Sequence, residues 1–399
     1  MAALRLAVVA SHPVQYHAPL YRELAGRCDL EVFFAHRATP SDQARAGFGV
    51  GFDWDVDLLS GFPHRFLRNV ARRPGLERFL ACDTPEIGAR LRDGRFDAVL
   101  LQGWHLKAFL QALASAKRLR LPVMVRGDSQ LETPRSALKK LVKAASYPMF
   151  LRLFDAALYV GERSRAYWTH YRYPRERLVF SPHCVDTAWF SNRATVHAAE
   201  ELRGRLGLSR DRKLALFAGK LVPFKRPLDL VAAAARTRAE GREVEIMVAG
   251  AGPLEAELIA AARAADVPIH PLGFRNQTEM PAVYAAADVL VLPSDGRETW
   301  GLVANEALAC GKPLILSDAV GAAPDLAADG TAGRVFPVGN VIALADALHG
   351  VLSLPPTAAA IAAKSRRYSL DAAADGVEAA LLKLGGREPR RSPRPRETG

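Results

Sequence analysis

DVLVLPSDGRETWGLVANEALACGKP, residues 288–313, decides how the rest of the chain is read. The uninterrupted apolar run Val289 to Leu292 reads as a parallel strand buried on both faces. Ser294-Asp295-Gly296 is a turn signal, and Ala304 to Ala309 is a strong helix former. A strand, a turn and a helix in this order make one half of a βαβ unit. Both Glu298 and Glu306 fall near the start of the helix, with seven residues between them. If both were helical, eight steps of about 1.5 Å would separate them by roughly 12 Å. Glu306 points back toward the helix start, as helical side chains do. An ionised carboxylate only accepts hydrogen bonds and can take two neighbouring hydroxyls. The free N–H groups of Trp300, Gly301 and Leu302 would face an anion lying between the two acids. Taken alone, the pair reads more readily as one capping and one solvated glutamate, because so short a motif arises easily by chance.

The surroundings extend the pattern. A length of 399 residues is long for one core and comfortable for two. Hydrophobic residues make up 49% and charged residues 24%, the balance of a globular protein. A formal net charge of +12 favours anionic partners. No zinc-finger spacing, RNP-like aromatic strand or basic heptad region occurs, so nucleic acid is not an expected partner. Cys28, Cys82, Cys184 and Cys310 lie far apart with no C-x-x-C pair, and read as reduced core thiols of a cytosolic protein. The apolar start at residues 4–10 contains Arg5 and is too short for a signal peptide, and no uncharged stretch approaches about 18 residues. The expected location is cytoplasmic, at most peripheral on the inner face of the membrane.

Apolar runs at residues 4–10, 30–35, 96–102, 122–126 and 156–160 alternate with helical segments, and a second series follows at 214–218, 244–249, 269–273, 289–293, 313–317 and 333–336. The fold class is therefore α/β, with two doubly wound, Rossmann-like units whose ligands lie outside the carboxyl ends of the strands. Residues 1–187 form the first unit, 188–208 a linker and 209–368 the second unit. Residues 386–399, rich in Pro and Arg with no large apolar side chain, read as a disordered basic tail.

FAGKLVPFKRP (217–227), MVAGAGPL (247–254), PLGFRNQTEMPAVYAAADVLVLPS (271–294) and SDAVGAAPDL (317–326) flank the glutamate pair. In this order they resemble the C-terminal half of retaining glycosyltransferases of family four, which have the GT-B fold, and the resemblance runs over residues 3–385. It implies two facing domains with a cleft between them, and a final helix, about residues 370–384, that crosses back onto the first domain. It also implies Glu298 on the transferred sugar, Glu306 on the ribose, and Lys220 and Lys225 on the donor diphosphate beside Gly219. The first basic position is usually Arg in this family, so Lys220 exchanges a bidentate fork for a point charge. Phe274 and Arg275 lie where the family holds the base by backbone groups. Gly250 and Gly252 read as packing glycines. Val320-Gly321 and Pro324-Asp325-Leu326 match a loop where either a close backbone approach or a plain turn is expected.

SHPVQYHAPL, residues 11–20, resembles a subgroup whose first loop reads His-Pro-x-Gln-Tyr. His12, Gln15 and Tyr16 are expected to contact the acceptor or the transferred sugar, and His17 to begin a helix. His105 follows a strand and matches a family His on the transferred sugar. Asp128, in Arg126-Gly127-Asp128, is read as an acceptor contact, with loop closure as the competing role. Asp53-Trp54-Asp55 could suggest a metal-holding Asp-x-Asp, but the alternation from Phe52 to Asp57 reads as an exposed strand. No metal and no cofactor are expected. Residues 136–153 set Lys139, Lys140, Lys143 and Arg152 among apolar residues, the pattern of a helix lying on an anionic membrane or of an ordinary packed helix with a solvated face.

The reading is a retaining, metal-independent glycosyltransferase. Its partners are a nucleotide-diphosphate sugar as donor and a glycan or lipid-linked hydroxyl acceptor of bacterial surface polysaccharide or glycolipid synthesis. Rivals are a GT-B-like sugar-nucleotide epimerase and a catalytically silent nucleotide-sugar binder. Sugar, base, acceptor, linkage and oligomeric state are not encoded in any motif read here.

Overall fold

A computed structural model describes residues 4–44, 50–209 and 211–385. The expected tail at 386–399 lies outside the described residues. Two parallel sheets organise them. The first contains β1 (Arg5–Ala10), β2 (Asp29–Phe34), β3 (His64–Phe66), β4 (Ala98–Leu101), β5 (Val123–Gly127), β6 (Ala156–Tyr159) and β7 (Leu178–Phe180), in the order β3-β2-β1-β4-β5-β6-β7. The second contains β8 (Leu214–Ala218), β9 (Glu245–Ala249), β10 (Ile269–Gly273), β11 (Val289–Leu292), β12 (Leu314–Ser317) and β13 (Gly333–Phe336), in the order β10-β9-β8-β11-β12-β13. This is the two-domain α/β GT-B fold.

The central strands bury both faces, which is why their runs are continuously apolar rather than alternating. Ala7 and Val9 pack into one helical layer, and Leu6, Val8 and Ala10 into the other. In the second sheet Ala215 and Phe217 face one layer, while Leu216 and Ala218 face the other. The helix Leu370–Gly385 follows the second domain but places Ala373, Val377, Leu381 and Leu384 in the core of the first. Gly376 permits that approach: a Cβ there would lie 2.0 Å from the Phe180 carbonyl oxygen. Arg27 fastens it, with guanidinium nitrogens 2.5 Å from Asp375, 3.2 Å from Asp371 and 3.4 Å from Glu378. The stretch read as a linker holds two helices, Thr187–Arg193 and Val196–Arg205, capped by Asp186 and Thr195.

Residues 52–57 do not form the expected exposed strand. Phe52, Trp54 and Val56 are half-buried and the intervening aspartates are exposed, so the alternation is real. However, the segment is an irregular extended loop with no partner strand.

Candidate active site

Strand order reverses beside β1 and β4 in the first sheet and beside β8 and β11 in the second, and the crevice at such a switch point is where ligands bind. The two crevices face one another. From the second domain come the loop after β8, with Lys220 and Lys225, and the loop after β11, with Glu298. Lys225 Nζ forms an ion pair with Glu298 Oε2, and their side chains are only 12% and 14% exposed. Ser294 Oγ donates to the same oxygen at 3.3 Å. The Asp295 amide donates to the Phe224 carbonyl at 2.8 Å and ties the two loops together. Burial and then Lys225 lower the pKa of Lys220, while Glu298 raises it. Gly250 makes the crowding possible, since a Cβ there would sit 1.8 Å from the Gly219 carbonyl oxygen.

The helix after β11 spans Val303–Ala309, taking in the expected stretch Ala304–Ala309, with Leu302 as N-cap, so Glu298 sits ahead of it in a loop that turns at Gly301, φ +94°. Only Glu306 is helical. Gly321 packs beneath this loop, where a Cβ would meet the Thr299 carbonyl oxygen at 1.8 Å. Glu306 is 4% exposed and accepts from Tyr284 Oη at 2.5 Å. Tyr16 reaches it from the opposite domain. Burial pushes the Glu306 carboxyl up to about 7, against the hydrogen bonds from Tyr284 and Tyr16.

Gln15, Tyr16 and Asp128 of the first domain line the same cavity as Gly219, Lys220, Lys225, Phe274, Arg275, Glu298, Trp300, Gly301, Leu302 and Glu306. The cavity holds about 420 Å³, within the range of small-molecule sites. His12 and His105 are not in its wall. His12 Nδ1 is 2.9 Å from Ser11 Oγ, and burial followed by His36 pushes it down to about 4. His105 is an exposed rim residue beside Phe109, with ring centroids 5.5 Å apart. His17 is the N-cap of the helix Ala18–Ala25.

Asp128 accepts from Thr299 Oγ1 of the second domain at 2.5 Å, and His183 Nε2 lies 3.9 Å away. Burial opposes its charge, but the nearby His183 and the hydrogen bond from Thr299 outweigh that and hold the carboxyl well below the usual range. Asp128 thus bonds across to the second domain while also lining the cavity. Arg126, the first residue of Arg-Gly-Asp, is 2% exposed and binds Ser181 and Pro182.

Sequence reasoning passed over several residues that join the domains. Gln130 Nε2 donates to the Gly296 and Glu298 carbonyls at 3.1 and 3.3 Å. Arg163 Nη1 donates to the Ala319 carbonyl at 3.0 Å. The Asp325 carboxylate accepts from the Glu162 amide at 3.1 Å, so it caps a helix of the other domain. These contacts carry no local signal because each pairs segments more than a hundred residues apart. Trp54 also lines the cavity. Among the described residues, no group of three or more His, Cys, Asp or Glu side chains is placed to hold a metal ion.

Facing switch points around one cavity lined by both domains are the arrangement of the GT-B fold. The chain belongs to the glycosyl transferases group 1 family, whose model matches residues 198–368. It is 30% identical over 277 residues to the GDP-mannose-dependent alpha-(1-6)-phosphatidylinositol monomannoside mannosyltransferase of Mycolicibacterium smegmatis, a match covering 67% of this chain and 69% of that relative. It is 30% identical over 203 residues to the alpha-D-kanosaminyltransferase of Streptomyces kanamyceticus, covering 49% of this chain and 52% of the relative. The fold superimposes on Anabaena Alr3699/HepE in complex with UDP with a TM-score of 0.72 at 17% identity, over 95% of this chain and 100% of that one. The chain is thus a glycosyltransferase, and among the described residues no single helix is long and apolar enough to cross a membrane.

Proposed function

We propose that the protein is a retaining, metal-independent glycosyltransferase that moves a sugar from a nucleoside-diphosphate sugar to a hydroxyl of a glycan or lipid-linked acceptor. The observation that carries this reading is the half-buried Lys225–Glu298 pair with Lys220 beside it in an interdomain cavity. Two ammonium groups there would hold the donor diphosphate and stabilise the charge it gains as it leaves. Glu298 would exchange Lys225 for hydroxyls of the transferred sugar, and Glu306 would accept from the ribose. The bond from the anomeric carbon to the phosphate oxygen breaks, and the acceptor oxygen bonds to that carbon from the same face. Its proton passes to the departing phosphate oxygen. With Glu298 committed to sugar hydroxyls, no carboxylate is assigned as a nucleophile, which favours this route over a covalent intermediate. No cofactor is assigned.

The acceptor side would be Gln15, Tyr16 and the rim histidines His12 and His105. The helix Ala137–Phe150 supports a lipid-linked acceptor on the inner face of the membrane. It buries none of its residues, and Leu138, Leu141, Val142 and Met149 are 70%, 67%, 56% and 79% exposed beside Lys139 and Lys140. That the mycobacterial relative is named for a phosphatidylinositol mannoside acceptor agrees with it.

The test is incubation with a panel of nucleotide sugars and polyol or lipid acceptors, with and without chelator, read by mass spectrometry and anomeric NMR. Transfer with the donor's anomeric configuration kept, at an unchanged rate in chelator, is expected. An inverted product removes the retaining mechanism, and a rate restored only by a divalent ion removes metal independence. Conversion of the donor to its epimer without acceptor would select the epimerase instead.

A further inference from the structure

The segment after β5 in the first domain runs alongside the Glu298 loop of the second and meets it at three alternate residues. Asp128 accepts from Thr299 Oγ1 at 2.5 Å. Two residues on, Gln130 Nε2 donates to the carbonyls of Gly296 and Glu298, at 3.1 and 3.3 Å. After two more, the Glu132 carbonyl oxygen comes so near Gly296 that a Cβ there would meet it at 3.0 Å. Gln130, the central contact, is completely buried. Arg163 Nη1 donates to its Oε1 at 3.4 Å, and Arg135 Nη1 to its backbone carbonyl at 3.0 Å. Arg163 is itself anchored on the second domain through the Asp318 and Ala319 carbonyls. Burying an amide costs free energy unless both its ends are bonded, and here both ends are spent on the domain junction. A carbonyl oxygen has two lone pairs. From its own domain the Glu298 carbonyl receives the Gly321 amide at 2.9 Å, and Gln130 fills its second place from across the cleft.

Resting on the placement of Glu298 proposed above, we infer that Gln130 is a positioning residue for transfer: by holding the Gly296 and Glu298 carbonyls from the first domain, it sets the Glu298 carboxylate in its working position only while the two domains are docked. Lys220 and Lys225 belong to the second domain, so the diphosphate can be held before that position is reached. Turnover then waits on closure, the movement that also brings the first domain's acceptor side to the cleft. Gln130 touches neither donor nor acceptor in this scheme and acts through the backbone on either side of Arg297. Its removal therefore costs rate rather than nucleotide affinity.

The test is steady-state release of UDP from UDP-glucose and of GDP from GDP-mannose by the intact protein, with UDP and GDP affinities measured by calorimetry. Gln130→Met keeps the length of the side chain without its donors. It is expected to lower kcat on whichever donor is turned over by about thirtyfold and to leave nucleotide affinity within about threefold. Gln130→Glu keeps the shape and serves also if the methionine variant does not fold. Ionised, it sets charged oxygens against two carbonyls; protonated, it regains one donor, and burial raises its pKa. Its kcat relative to wild type should therefore climb about fivefold or more as pH falls from about 8 to about 6. Asp55→Ala is the control for lost adhesion between the domains, since Asp55 accepts from the Thr278 amide and hydroxyl rather than from the Glu298 loop. It should leave kcat within about threefold. An equal loss of kcat in Asp55→Ala, a fall in nucleotide affinity matching the fall in kcat, or a Gln130→Glu ratio that does not move with pH overturns the inference. A wild-type protein that releases neither nucleotide overturns the donor reading on which it rests, whereas wild-type turnover that Gln130→Met leaves unchanged overturns this inference alone.

Discussion

Glu306 carries two opposing demands. Its carboxyl is raised to about 7 by burial, above the ordinary value of about 4.3 that it has in the unfolded chain. Below that ordinary value the group is protonated in both states and its contribution to stability is complete. As pH rises through 7 the unfolded chain ionises first, and stability on the order of 3 kcal/mol is lost. Glu306→Gln should therefore gain stability relative to the parent between about pH 4.5 and 7, with the difference level above that, as thermal melts across pH would show. The same variant should weaken nucleoside diphosphate binding by about 1.5 to 3 kcal/mol, the loss expected of a charged hydrogen bond, and should abolish a rise in donor affinity as pH passes through 7. A variant that loses stability at pH 8 while binding donor normally would reverse both assignments. Lys225→Ala should lower donor affinity about tenfold and turnover by about a hundredfold, because the charge serves both the bound and the departing diphosphate. Normal steady-state kinetics would take Lys225 out of the site. These acids and lysines became legible through the order of the motifs around them, Lys220, Lys225 and Glu298 in loops that follow strands and Glu306 in the first turn of a helix. That Lys225 pairs with Glu298 was not legible, because it depends on how two loops, 73 residues apart along the chain, lean together.

At the scale of elements, the apolar runs located every strand except β3 and β7. Those are three-residue edge strands, His64–Phe66 and Leu178–Phe180, too short to show a period. The loops after the strands separate into donor and acceptor sides by experiment. His105→Ala is expected to reduce transfer while leaving nucleotide affinity within about twofold, since the rim lies outside the cavity wall. Tyr16→Phe, by contrast, should weaken nucleotide binding as well, because its hydroxyl reaches Glu306. Equal nucleotide losses in both variants, measured by calorimetry, would show that the first-domain loops are wrongly divided. The exposed helix Ala137–Phe150 offers a third check. Lys139→Glu with Lys140→Glu should abolish co-sedimentation with vesicles containing anionic phospholipid, each lysine near such a surface contributing about 1 kcal/mol. Retained binding would mean that another face meets the membrane or that none does.

For the molecule as a whole, the return helix is the element that makes the two domains one folding unit. Removing residues 370–399 would strip Ala373, Val377, Leu381 and Leu384 from the first domain's core, at about 1.5 to 3 kcal/mol for each large buried side chain. The shortened chain is expected to lose the first domain's cooperative unfolding transition in calorimetry; an unchanged melting profile would show the helix to be dispensable. Gly376→Val should act in the same direction, since its Cβ has no room against Phe180.

The sequence by itself determined the doubled α/β plan and the order of the loops. Both follow from local strand, turn and helix patterns within a few dozen residues. Tertiary structure decided that Asp128 closes on Thr299, that Tyr16 meets Glu306, that His105 stays at the rim and that Trp54 enters the cavity. Each of these depends on how one rigid domain is set against another, and no hydrophobic period or short motif carries the distance between two separately folded sheets.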